Sequence, residues 1–356
     1  MSALVNTRPQ GSLWRTALRM SGGILLSLIL WECIVRCCIN RQVTGRWIPQ
    51  YGVTTSGLVV FGTEGYSLTH FNSLGFRGPE PQPKRPGEYR ILVVGDSFVV
   101  GLQVPDKDTF GQQLQTCAQQ AGWKDVTVSN GGRSGFGPAD YVALAPFYRN
   151  TFHPDLCVIE INPDDFDKDF ANPSQTYYCV KSGSDDYVIQ SHITGSATEV
   201  SHRSRVRALL STLAQDWQSK VYAKHRLEIA RKPYVRPQPQ PPADYDRMTG
   251  WFARQIKQQY GNPVVLYIPR IEYFHPNDPN EQLDHALASA CAKQQIPFVN
   301  MRQTFVERAL KQEGPFAGFA NTSIPALGHL NIDGNRLVGR QLFESLQAMH
   351  LLPPHP

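Results

Sequence analysis

The run Tyr89-Arg90-Ile91-Leu92-Val93-Val94-Gly95-Asp96-Ser97-Phe98 decides how this chain folds. After Arg90 it is aliphatic up to a glycine, and such a run suits a parallel strand buried on both faces. Ser97 then stands at the strand's C-terminal edge, where an open α/β sheet keeps its ligand sites. The tripeptide Gly-Asp-Ser alone is weak evidence. Its position gives it weight.

Similar patterns follow on the C-terminal side. Residues 125–129, 156–161, 263–268 and 297–300 are further short apolar runs. Between them lie helical patterns. Thr109-x-x-Gln112 has the form of a capping box, followed by Phe110, Leu114, Cys117 and Ala121 on one face and closed by Gly122. Pro138 opens a second helix, with Tyr141, Leu144, Ala145 and Tyr148 on a shared stripe. Helices are also expected over 281–294 and 332–349. Strands alternating with helices imply βαβ units and a parallel sheet covered on both faces.

An insert is expected at about 171–250. Within it Val206, Leu210, Leu213, Trp217 and Val221 make one face of an amphipathic helix whose other face is basic. The proline-rich run 237–242 is a stiff spacer after it. The basic face suits an anionic lipid or anionic polymer, a lid over the site, or simply solvent.

Composition limits the function classes. With 41% hydrophobic and 18% charged residues, the 356-residue chain can bury a sizeable core. Its net charge of +5 is uneven: residues 201–236 carry +7, so the remainder is slightly acidic and nucleic-acid binding is not expected. Seven cysteines without a C-x-x-C pair argue against a zinc module or a disulfide scaffold, and Cys117 and Cys157 read as small core hydrophobes.

At the N-terminus, Arg8, Arg15 and Arg19 precede the stretch 20–39, in which fourteen of twenty residues are apolar. Twenty helical residues rise about 30 Å, the thickness of a bilayer core. No A-x-A-like site follows, which favours an uncleaved single-pass anchor; an amphipathic or buried helix is the other reading. The expected organisation is a cytoplasmic tail and anchor over 1–45, a lead-in over 46–88 and the main domain over 89–350, placed outside the cytoplasm.

A hydroxyl nucleophile at Ser97 needs a base, and His329 in Gly328-His329-Leu330-Asn331, before the last helix, is the natural candidate. The loop Asn130-Gly131-Gly132-Arg133-Ser134-Gly135-Phe136-Gly137 is rich in N–H groups that can face a developing negative charge.

Together these pieces resemble the SGNH/GDSL hydrolase superfamily. The lead-in Phe71-Asn72-Ser73-Leu74-Gly75-Phe76-Arg77-Gly78 is similar to that of a bacterial, envelope-associated branch. Residues 89–98 resemble the first block, with Phe98 where the name-giving motif has Leu. Asn130-x-Gly132 resembles the second, Pro154-Asp155-Leu156 through Asp164-Asp165 the third, and His329-Leu330-Asn331-x-x-Gly334 the fifth. The implied fold is a three-layer α/β/α sandwich with a five-stranded, flavodoxin-like parallel sheet.

The resemblance implies a Ser97–His329 esterase with oxyanion donors at Ser97 and Gly132, Asp96 and Asp165 as structural neighbours, and no cofactor or metal. Two positions depart from the family. Asp164 falls where the oxyanion Asn belongs, with Asn162 a substitute donor, and Ala326 falls where an aspartate precedes the histidine. The expected activity is removal of acyl groups, acetyl foremost, from a carbohydrate or other envelope ester. An O-acyltransferase of polysaccharide modification, or a catalytically reduced polysaccharide-binding or assembly protein, fits the same motifs.

Overall fold

The computed structural model describes residues 10–40, 57–61, 64–171, 177–183, 186–191, 244–269, 281–311, 313–314, 316–318 and 328–354. The chain enters through one long helix, α1 (Gln10–Cys38). Its stretch Trp14–Ile34 is long and apolar enough to cross a membrane, and none of it is buried. Three short strands follow: β1 (Ile39–Asn40), β2 (Gly57–Phe61) and β3 (Gly65–Thr69). β2 and β3 form an antiparallel hairpin, with β1 parallel to β2.

The main sheet has five strands: β4 (Tyr89–Gly95), β5 (Val126–Gly132), β6 (Leu156–Ile161), β9 (Pro263–Tyr267) and β10 (Phe298–Asn300). Between β6 and β9 the chain adds a hairpin of β7 (Tyr177–Ser182) and β8 (Asp186–Ser191). The order across the main sheet is β10-β9-β6-β4-β5 and every pairing is parallel. This is the flavodoxin-like doubly wound order, whose switch point lies between its first and third strands, β4 and β6.

Why both faces of the sheet are apolar follows from the pleat. Leu92, Val94, Ile159 and Ile161 point into one core with the buried stripes of α4 (Pro138–Ala143), α5 (Ala145–Phe152), α7 (Tyr245–Tyr260) and α8 (Glu281–Lys293). Ile91, Val93 and Val158 point into the other, under α3 (Phe110–Gln120) and α10 (Ile332–Ala348). The remaining helices are the short α2 (Ser97–Val100), α6 (Pro163–Ala171) and α9 (Arg302–Leu310). The result is the three-layer α/β/α sandwich expected from the sequence.

Four local expectations change. Thr109 makes no side-chain cap on α3: its hydroxyl donates to Asp106 O, Gln112 reaches Val128 O, and Asn335 Oδ1 accepts the Phe110 N–H at 2.9 Å. A distant side chain has replaced the capping box. On the same helix Ala118 is buried with Phe110 and Leu114, whereas Cys117 is half-buried and Ala121 exposed. The stripe over 141–148 is two helices, not one, because Pro146 has no N–H to continue the first.

The fourth change is α7. The core resumes by Asp244, inside the expected insert, with Met248, Trp251, Phe252 and Ile256 buried along one stripe. The amphipathic helix expected over 206–221 and the proline-rich spacer lie outside the described residues.

The lead-in motif is a strap. Asn72 Oδ1 accepts the Leu74 and Phe76 N–H groups, and the Phe76 ring enters an aromatic cluster with Phe147, Tyr148 and Phe152. Arg77, 4% exposed, donates to the carbonyls of Val100, Gly101 and Val104 and pairs with Asp106 at 2.6 Å. The strap therefore grips the chain just after α2.

Candidate active site

Ser97 is the first residue of α2, directly beyond β4. Its turn is fixed by Asp96, buried at the N-cap, whose Oδ1 accepts the Phe98 N–H at 2.8 Å. A capped, strand-terminating turn holds a side chain at one place on the sheet edge. Phe98 adds a wall, its ring centroid 5.1 Å from that of His329.

His329 arrives on the loop before α10. Its backbone is pinned on both sides: Gly318 N–H donates to His329 O at 2.9 Å, and Leu330 bridges to Ala317. Asn331 then caps α10 by accepting the Gly334 N–H at 2.9 Å. The consequence is that His329 Nε2 stands 2.7 Å from Ser97 Oγ, across 232 positions of chain.

The other ring nitrogen, Nδ1, meets the carboxyl of Glu64, in the turn just before β3. Glu64 Oε1 also accepts the His329 backbone N–H at 3.2 Å. The sequence singles out Ser97 and His329 but not Glu64. No motif marks it, and it belongs to a segment read only as a lead-in.

The candidate oxyanion groups are spread around this pair. Gly132 ends β5 in register with Gly95, and its N–H donates to Asn130 Oδ1 at 2.9 Å. In this state that N–H is already engaged. Asn162 and Asp165 cap α6 reciprocally: Asn162 Oδ1 accepts the Asp164 N–H and Asp165 Oδ2 accepts the Asn162 N–H, each at 3.0 Å. Asn162 is buried, and its amide nitrogen faces the carboxyl of Glu160. That nitrogen has no partner at hydrogen-bond geometry, so Asn162 is not committed elsewhere. Asp164, half-buried, occupies the second position of α6, where a negative charge suits the helix N-terminus.

Glu160 is a second carboxyl that the motifs did not flag. It is fully buried, next to the Ser97 turn, and neither oxygen has a partner at hydrogen-bond geometry. Burial first, then the charges of Asp96 and Asp165, push its pKa well above the ordinary value. Burial and like charge thus both favour its protonated form more than in an exposed glutamate. Among the described residues no three His, Cys, Asp or Glu side chains are grouped to hold a metal ion.

No family model and no curated protein matches the chain. Solved structures similar to it include the acetyl xylan esterase AlAXEase, at 12% identity and a TM-score of 0.41, covering 72% of this chain and 99% of that one. An acetyl xylan esterase from Geobacillus stearothermophilus is 13% identical with a TM-score of 0.42, over 72% of this chain and 94% of that one. A member of the lipolytic G-D-S-L family from Veillonella parvula is 13% identical with a TM-score of 0.38, over 72% and 97%. What the site can do follows from its own atoms.

Proposed function

We propose that this chain is a serine esterase of the SGNH type. The observation that carries the reading is the 2.7 Å approach of His329 Nε2 to Ser97 Oγ at the C-terminal edge of a parallel sheet. A hydroxyl is a weak nucleophile until a base takes its proton in the transition state, and that distance is within the reach of a general base. Ser97 Oγ attacks the ester carbonyl carbon while its proton passes to His329 Nε2. Collapse of the tetrahedral adduct expels the alcohol, which takes that proton. Water then attacks the acyl-Ser97 carbonyl, losing a proton to His329, and the carboxylic acid leaves as His329 returns that proton to Ser97 Oγ.

Donors to the oxyanion are drawn from the Ser97 N–H and the loop after β5, with Gly132 able to serve once it releases Asn130. The substrate proposed is an acylated carbohydrate or another envelope ester, acetyl foremost. The stretch Trp14–Ile34 is read as the anchor that holds the enzyme at a membrane, with the catalytic domain outside the cytoplasm.

The test is a fluorophosphonate probe and turnover of 4-nitrophenyl acetate by the full chain in detergent. Ser97→Ala is expected to abolish labelling, and Ser97→Ala and His329→Ala each to lower kcat by about a thousandfold or more. Labelling that survives Ser97→Ala, or unchanged turnover in both variants, rejects the esterase reading. Adding an oligosaccharide as acceptor then separates hydrolysis from transfer.

A further inference from the structure

The hairpin β2–β3 lies outside the sandwich, yet its turn places one carboxylate against the base. Glu64 makes both contacts to His329 at once, to Nδ1 and to the backbone N–H. Gln103, 4% exposed, donates from Nε2 to Glu64 Oε2 at 3.2 Å. The hairpin itself is moored by Ser67 Oγ, which donates to Leu102 O at 2.6 Å. Both moorings are in the segment after α2, the segment that Arg77 also grips.

The residue before His329 confirms how closely the carboxyl approaches. Gly328 has φ +109, a conformation that side chains rarely adopt, and a Cβ there would fall inside the Glu64 carboxyl. Two constraints at one position thus require glycine: the backbone turn and the room for Glu64. Meanwhile Ala326 leaves the position three before His329 without an acid.

We infer that Glu64 is the positioning acid of the site, delivered by the hairpin that links the candidate membrane helix to the sandwich. This rests on the serine-esterase reading. A carboxylate on Nδ1 holds that nitrogen's proton, so the lone pair of Nε2 faces Ser97 Oγ. It also compensates the imidazolium that forms as Ser97 attacks. The hairpin is then part of the active site, and a domain without it runs as a Ser–His dyad.

The experiment uses the full chain in detergent micelles with 4-nitrophenyl acetate, alongside Ser97 labelling and thermal melting. Glu64→Gln is expected to lower kcat about a hundredfold or more, with KM changed less than about threefold, because only proton transfer suffers. Glu64→Asp should regain at least about tenfold of that loss. A deshielded Nδ1 proton resonance should be present in the native chain and in Glu64→Asp and absent from Glu64→Gln. Gly328→Ala, which displaces an unaltered Glu64, should also lose kcat, and pairing it with Glu64→Gln should add little.

The inference is overturned if folded Glu64→Gln keeps kcat within about threefold and retains the resonance. Should Glu64→Gln fail to fold, full kcat in Gly328→Ala overturns it instead. Its failure differs from that of the esterase reading: Ser97→Ala would still be inactive and unlabelled.

Discussion

Gly95 and Glu160 share one small volume behind Ser97. A Cβ on Gly95 would stand 2.7 Å from Glu160 Oε2 and would overlap Val99 as well. The glycine before Asp96-Ser97 is thus the residue that lets a fully buried acid lie against the turn. The Asp96 N–H and the Asn162 amide face that acid from the N-terminal ends of α2 and α6, short of hydrogen-bond geometry.

The charge state of Glu160 gives the first prediction. Its folded pKa is raised, so its contribution to stability is fully present below the unfolded value of 4.5 and is lost as pH rises above it. Glu160→Gln keeps the shape without the titration. It should melt higher than the native chain at pH 8, with the gap closing toward pH 4.5. Melting curves across that range check it, and a gap that widens on acidification contradicts the assignment.

Asp164 gives the second. If its carboxylate faces the oxyanion, two like charges about 4 Å apart oppose each other by roughly 4 kcal/mol at an effective dielectric of 20. Asp164→Asn should therefore leave kcat/KM on 4-nitrophenyl acetate equal or higher. The same change removes a favourable charge at the start of α6 and should cost about 0.3–1 kcal/mol of stability. A folded variant that loses most of its turnover would assign the Asp164 charge a positive role.

Arg77 tests the strap. Removing it strands the carbonyls of Val100, Gly101 and Val104 and leaves Asp106 with the His70 N–H in place of its ion pair. Arg77→Ala should cost about 3 kcal/mol or more in urea unfolding, since three carbonyls in a buried segment lose their donor, while Asp106, 40% exposed, adds little. Arg77→Lys should recover less than half, because an ammonium cannot reproduce the planar fork. Full stability in Arg77→Lys would mean that charge alone, and not the fork, holds the segment.

The N-terminal helix is tested by fractionation. The full chain should partition with membranes and need detergent for extraction, and a chain beginning near residue 48, which lacks α1, should not. Equal solubility of the two without detergent would refute the anchor.

Much of the sandwich was legible in the sequence because its signals are local. The aliphatic run before Gly95, the Phe110 and Leu114 side of α3 and the extent of α10 follow from local pattern and from glycine and proline punctuation. Ser97 and His329 could be singled out because each sits at the border of such an element. Where a local signal met a distant competitor, it failed. The Thr109 capping box gave way to Asn335, 225 positions from the Phe110 N–H it accepts. α7 went unread because a proline-rich segment stands directly before it.

Only the tertiary structure decided which acid serves His329. Glu64 is one of 30 acidic residues, 265 positions from the histidine, on a hairpin that no motif marks. Sequence spacing constrains contacts within a turn or two of helix or a pair of strand residues. Beyond that, which side chains meet depends on the path of the whole chain. Here that path is set by the strand order of the sheet, the Arg77 strap and the mooring of Ser67 and Gln103 after α2. The sequence by itself determined the sheet and the two residues at its edge; the docking of the hairpin determined the third.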